Sequence, residues 1–167
     1  MPNWVRNEIT INGPEGSVKA LLKKTATKES RFDFNGLVPM PAHIYKGLLS
    51  SEERARYGDD NWYDWSYKHW GTKWNAADAA VMYHGGETAF VDFETAWCAP
   101  IPIYEAIRKK FPDLDVQARY ADEDIGSNCG TWHNGELEKI EEPQRAFEFA
   151  CDVWGYDPDE LREERGC

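Results

Sequence analysis

Cys129 and His133 stand four residues apart, a C-x3-H spacing that could give two ligands to a zinc ion. Zinc wants four such ligands at close range, and the remaining candidates, His84 and Cys98, are distant in the chain. Residues four apart on a strand share a face by alternation alone, so the plainer reading is coincidence, and no metal is expected. Cys98 and His84 bracket one apparent hairpin and could form a thiol–imidazole pair for nucleophilic attack, although isolated residues of these types more often pack. Removal of Met1 would expose the secondary amine of Pro2, a base or nucleophile if its pKa were lowered; the plainer role is a chain end that anchors the first strand through Trp4. Glu8, Asp92 and Glu94, with Arg6 and Arg119, would cluster if their strands are neighbours. They would then form either an acid–base site or the polar solvent face of an open sheet, and the second is favoured. The chain has no Gly-x-Ser-x-Gly, phosphate loop or dinucleotide fingerprint, so no cofactor is expected and a non-enzymatic role is favoured.

These residues must be positioned by elements whose periods are readable. Val5, Ile9 and Ile11 alternate with Arg6, Glu8 and Thr10 over a predicted strand, Trp4–Ile11. Pro14 suits the first turn of a helix that carries Val18, Leu21, Leu22 and Thr25 on one face. Phe32, Phe34 and Leu37 are expected to pin an ordered loop, and Ser50 with Glu53 to box the start of a short helix ending near Gly58. The run from Asn61 to Asn75 holds four of the eight Trp; Trp62, Trp65 and Trp70 should face inward, with Gly71 as a left-handed cap. Trp62, Trp65, Trp70 and Trp74 are expected to plug the hydrophobic centre, although Trp62, Tyr63, Trp65, Trp70 and Trp74 could instead form a recognition surface. Two strands, Trp74 to Tyr83 and Thr88 to Trp97, flank His84-Gly85-Gly86. A helix from Pro100 buries Ile103, Ile107 and Phe111; a strand follows from Leu114 to Tyr120. His133-Asn134-Gly135 then turns a second hairpin, and Pro143–Trp154 is an amphipathic helix. The order implies an α+β fold with a ferredoxin-like split β-α-β antiparallel sheet and helices on one face. An inserted loop and helix region lies at about 30–73. The single domain runs over 1–140, including an extra C-terminal hairpin, and 141–167 forms an acidic helical extension packed on it.

Several classes are disfavoured by composition. Of 167 residues, 41% are hydrophobic, enough for a core, and no run is long enough to span a membrane. A soluble, cytoplasmic protein is expected. The four cysteines form no C-x-x-C pair, which suits free thiols and argues against an iron–sulfur cluster. The net charge of −11 lies wholly from Asp113 onward, where 16 acidic residues meet 5 basic ones. Direct nucleic-acid binding is therefore disfavoured, and the outward sheet positions read without a central aromatic for base stacking.

Met1-Pro2-Asn3-Trp4, Phe32-Asp33-Phe34-Asn35, Pro39-Met40-Pro41, Asn61–Trp65, Trp70-Gly71-Thr72-Lys73-Trp74-Asn75, Thr95-Ala96-Trp97 and Phe111–Leu114 together resemble the YubB-like family over roughly Met1 to Trp132. That resemblance implies a ferredoxin-like domain carried by plasmids and phages, and assigns no catalytic residue. The expected role is a protein-binding module of a mobile genetic element. An acidic surface with Glu138, Glu141, Glu142 and Asp152 would meet a host or plasmid/phage protein, in a sharper form by mimicking DNA. The alternative is a small enzyme with a carboxylate or Cys/His site.

Overall fold

The computed structural model describes residues 1–166; Cys167 lies outside the described residues. The strands are β1 (Trp4–Asn12), β2 (Ala77–Met82), β3 (Thr88–Ala96), β4 (Asp115–Asp122), β5 (Cys129–His133) and β6 (Glu136–Lys139). The helices are α1 (Glu15–Thr25), α2 (Ser51–Tyr57), α3 (Trp62–His69), α4 (Ile101–Lys110), α5 (Pro143–Trp154) and α6 (Pro158–Arg165). All strands join one antiparallel sheet in the order β2-β3-β1-β4-β5-β6. The first four reproduce the ferredoxin-like order, and the second hairpin extends the same sheet.

Register assigns the two faces. Val5, Ile9 and Ile11 stand opposite Thr95, Val91 and Ala89 on one side and Asp122, Ala118 and Val116 on the other. These residues form the inner face, buried with Val18 and Leu21 of α1 and Ile103 and Ile107 of α4. Asn7 also points inward and is fully buried. Its Nδ2 donates to Val5 O (2.9 Å) and Thr95 Oγ1 (3.0 Å), and its Oδ1 accepts from Tyr104 Oη (2.5 Å). A buried amide is tolerated because each of these groups is paired. The apolar alternation of β1 passes over this position, and the network is invisible in the sequence.

The inserted region is built into the core. Phe32 stacks on Phe93 at 5.2 Å between centroids, Phe34 meets Phe93 at 5.5 Å and Trp70 at 5.7 Å, and Trp70 meets Trp65 at 5.2 Å. These edge-to-face and offset contacts add to the apolar area they bury. Trp65 and Trp70 are buried as expected, and Trp62 is half-buried with its indole N–H on Gly47 O (3.0 Å). Trp74 departs from expectation. It is 37% exposed and rests against Trp4 at 6.0 Å, outside the core. Pro14 caps α1 and does not enter its first turn.

Most of the Trp70–Asn75 run has a structural task. The Trp70 indole donates to Val38 O (2.8 Å), and Thr72 Oγ1 donates to Ala96 O (2.8 Å). Asn75 Oδ1 accepts from Phe34 N (2.9 Å) while its Nδ2 donates to Asp33 (2.8 Å). Gly71 follows α3 at φ +77°, and a Cβ there would lie 2.6 Å from Pro102 Cδ, so only glycine fits.

The helices are not confined to one face. Ala121 and Cys129 point to the side opposite α1 and α4, and they cluster with Ala146, Ala150, Cys151 and Val153 of α5. The Trp154 indole donates to Ala121 O (3.0 Å). Thus α5 covers one end of the outer face.

Tyr104→Phe leaves the buried Asn7 carbonyl oxygen unpaired and should cost about 1–3 kcal/mol in urea unfolding. Trp70→Ala opens the aromatic stack and should cost about 3–5 kcal/mol by the same measurement.

Candidate functional site

The outer face that α5 leaves uncovered carries the charged side chains singled out by alternation. Glu8 stands opposite Asp92 on β3 and Arg119 on β4, and Arg6 opposite Glu94. Asp92 lies 3.5 Å from Arg6, Arg6 lies 3.7 Å from Glu8, Glu8 pairs with Arg119, and Arg119 pairs in turn with Asp152 of α5. One line of alternating charge therefore crosses β3, β1 and β4 and ends on α5. Each of its three carboxylates is ion-paired with one of two arginines, Arg6 and Arg119.

Glu94 lies at the margin of this line. Burial, Asp78 and Glu123 push its carboxyl above the ordinary glutamate value, against the opposing pull of Arg6. Further along the face, a trough of about 740 Å³ is lined by Thr10, Met82, Phe90, Gln117, Thr131 and His133, among others. Met82 and Phe90 are exposed on this face. Phe90 places an aromatic where the sequence reading saw none, because only the polar alternating positions were assigned outward. Beside the trough His133 pairs with Asp115 at 2.8 Å, holding that carboxyl below its usual range.

The remaining constellations are not assembled. His84 precedes β3 and Cys98 follows it, so nine residues at about 3.3 Å each separate them and no dyad forms. Burial and then Asp122 push the Cys98 thiol up, away from nucleophilic character. Cys129 is buried beneath α5, with Sγ 3.8 Å from Ile140 O and Ala146 O, whereas His133 is exposed. No group of three or more His, Cys, Asp or Glu among the described residues is placed to hold a metal ion. Near Pro2, Asn3 donates to Asp122 (3.1 Å) and Trp4 N–H to Glu123 (2.8 Å), which ties this part of the chain to the end of β4.

The acidic residues chosen from the sequence divide in two. Glu138 pairs with Arg145 (2.7 Å), Asp152 pairs with Arg119, and Glu142 caps α5 by accepting from Gln144 N and Arg145 N. These three serve the fold. Glu141 is exposed and holds no side-chain partner among the described residues, and the same is true of Glu136, Glu160, Glu163 and Glu164, which sequence reasoning passed over. For Glu138 and Asp152 the distinction depends on which arginines fall within reach, and spacing alone does not give it. Of the aromatics, Trp65 and Trp70 are core, Trp62 and Tyr63 are half-buried, and Trp74 is surface.

Together these features define a small α+β protein with a ferredoxin-like antiparallel sheet, an ion-paired outer face and an acidic C-terminal end. Residues 69–164 match the family described as "Ferredoxin-like domain in Api92-like protein". The chain belongs to that family. The fold is similar to the crystal structure of protein api92 from Yersinia pseudotuberculosis, with a TM-score of 0.56 and 9% identity over 84% of this chain and 98% of that one. No curated protein matches the chain. No helix among the described residues is long and apolar enough to cross a membrane.

The raised Glu94 carboxyl gives a signed expectation. A group whose folded pKa is raised stabilises the fold fully below its unfolded value, and that contribution is lost as pH rises through the folded pKa. Glu94→Gln should therefore raise the melting temperature at pH 7, and the gain over wild type should vanish below the ordinary glutamate value of 4.5.

Proposed function

We propose that this chain is a non-enzymatic protein-binding module whose acidic C-terminal end meets a basic partner surface. One observation carries the reading: the whole net charge of −11 lies from Asp113 onward, and Glu136, Glu141, Glu160, Glu163 and Glu164 remain exposed without side-chain partners among the described residues. Carboxylates already held by arginines add little to a new contact. Unpaired ones attract a cationic surface and accelerate its approach. The carboxylates of the outer face are already ion-paired with arginines, which favours binding over acid–base chemistry. In its sharper form the acidic end stands in for a phosphate backbone, and the partner is a nucleic-acid-binding protein. The resemblance to YubB-like proteins supports a plasmid or phage setting, with a host or plasmid/phage protein as partner.

The test is affinity capture from the native host at two salt concentrations, with wild type and a variant carrying glutamine at positions 136, 141, 160, 163 and 164. A partner captured at low salt, released at high salt and lost with the variant is the expected result; duplex DNA should compete for it if the mimicry holds. Capture that persists undiminished with the variant would remove the proposal.

A further inference from the structure

Within the Trp70–Asn75 run, Lys73 and Trp74 have no task in the core. Lys73 Nζ lies 4.4 Å from the Trp74 ring centroid and 4.8 Å from that of Trp97, with the Tyr63 ring at 6.0 Å. Trp4 lies against Trp74, with ring centroids 6.0 Å apart. Two indoles and a phenol converge on one ammonium, and a third indole backs them.

Trp97 reaches this position at a backbone cost. Its φ is +65°, a left-handed conformation that bulky residues avoid. Two bonds hold it there: its N–H donates to Asn3 O (2.9 Å), and its carbonyl accepts from Asn128 Nδ2 (3.1 Å). Burial does not offset the strain, since Trp97 remains 39% exposed. Backbone strain that displays an indole at the surface belongs to recognition more than to packing.

The geometry points to an aromatic cage for a cationic side chain, occupied at rest by Lys73, which an arginine of a partner protein enters in its place. Charge favours a cation here. Asp122 accepts from the Asn3 side-chain amide, and Glu123 accepts from the Trp4 backbone N–H, so two carboxylates lie against the Asn3–Trp4 segment. Indole faces attract any cation, but the two cations differ in hydration. An ammonium is compact and strongly hydrated, whereas a guanidinium is planar, weakly hydrated and stacks on aromatic faces. The exchange returns the Lys73 ammonium to water and puts the less hydrated ion on the rings. The choice of a basic protein as ligand rests on the acidic-end reading above, whereas the cage does not require it.

The experiment titrates the full chain with N-acetyl-arginine amide and, separately, N-acetyl-lysine amide, following the indole N–H signals by NMR. The expected result is a saturable shift of the Trp74 and Trp97 signals, at lower concentration for the arginine amide. Lys73→Ala should bind roughly threefold more tightly, because the resident cation is gone. Trp97→Ala should abolish the shift. Since that change also touches the end of β3, Trp74→Ala, at a half-exposed side chain, should independently weaken it. Equal shifts at the buried Trp65 and Trp132, or Lys73→Ala binding no more tightly than wild type, would overturn the cage. The variant with five glutamines should titrate like wild type. Charge-dependent capture without amide binding would end the cage alone, and amide binding without charge-dependent capture would end the acidic-end reading alone.

Discussion

The amide of Asn7 sits on the inner face, on the strand that both β3 and β4 pair with, and its partners come from three elements. Its oxygen needs the phenol of Tyr104 on α4, and its nitrogen needs Thr95 on β3 and the carbonyl of Val5. Displacing β1 by one residue would carry Asn7 to the outer face and turn Glu8 into the core. The network therefore fixes the register of the central strand and the placement of α4 over it. Every feature of the outer face inherits that register. Glu8 meets Arg119 because Asn7 does not meet water.

A second constraint holds the inserted region. Phe93 presents its ring to Phe32 and Phe34, and Phe34 passes the contact to Trp70 and so to Trp65. Asn75 then ties the far end of the insertion back to Asp33 and Phe34. Residues that precede and follow the long excursion are joined by both ring contacts and hydrogen bonds. The excursion is thereby part of the inner layer, with only its tip, around α2, lacking buried side chains.

Elements whose burial follows a simple period were legible in the sequence. The alternation of β1, β3 and β4, the Ser50 box of α2, the Asn134-Gly135 turn with φ values of +46° and +103°, and the bounds of α5 all follow from local chemistry. What was not legible depends on distant partners. Asn7 is polar and interrupts an apolar alternation, yet a phenol and a hydroxyl nearly a hundred residues away make it a core residue. Trp74 shares its run with Trp70, but only the turn at Gly71 decides that one indole goes inward and the other stays at the surface. The side of the sheet taken by α5 is settled by Ala121 and Cys129, small residues that leave room for Ala146 and Ala150. Among the carboxylates, reach to Arg119 and Arg145 for Asp152 and Glu138, and the cap of α5 for Glu142, separate those that hold the fold from those left free.

The two margins of the sheet differ from its centre. The outer strand β2 shifts register between Ala77 and Ala80, where Asp78 takes a φ of +48°. At the opposite margin β6 is four residues long, exposed throughout, and carries Glu136, Glu138 and Lys139. A bulge on one side and a short charged strand on the other deny an incoming chain a straight row of amides and carbonyls to zip onto. Both margins thus discourage growth by strand addition, whether by a second copy of the chain or by an extended peptide.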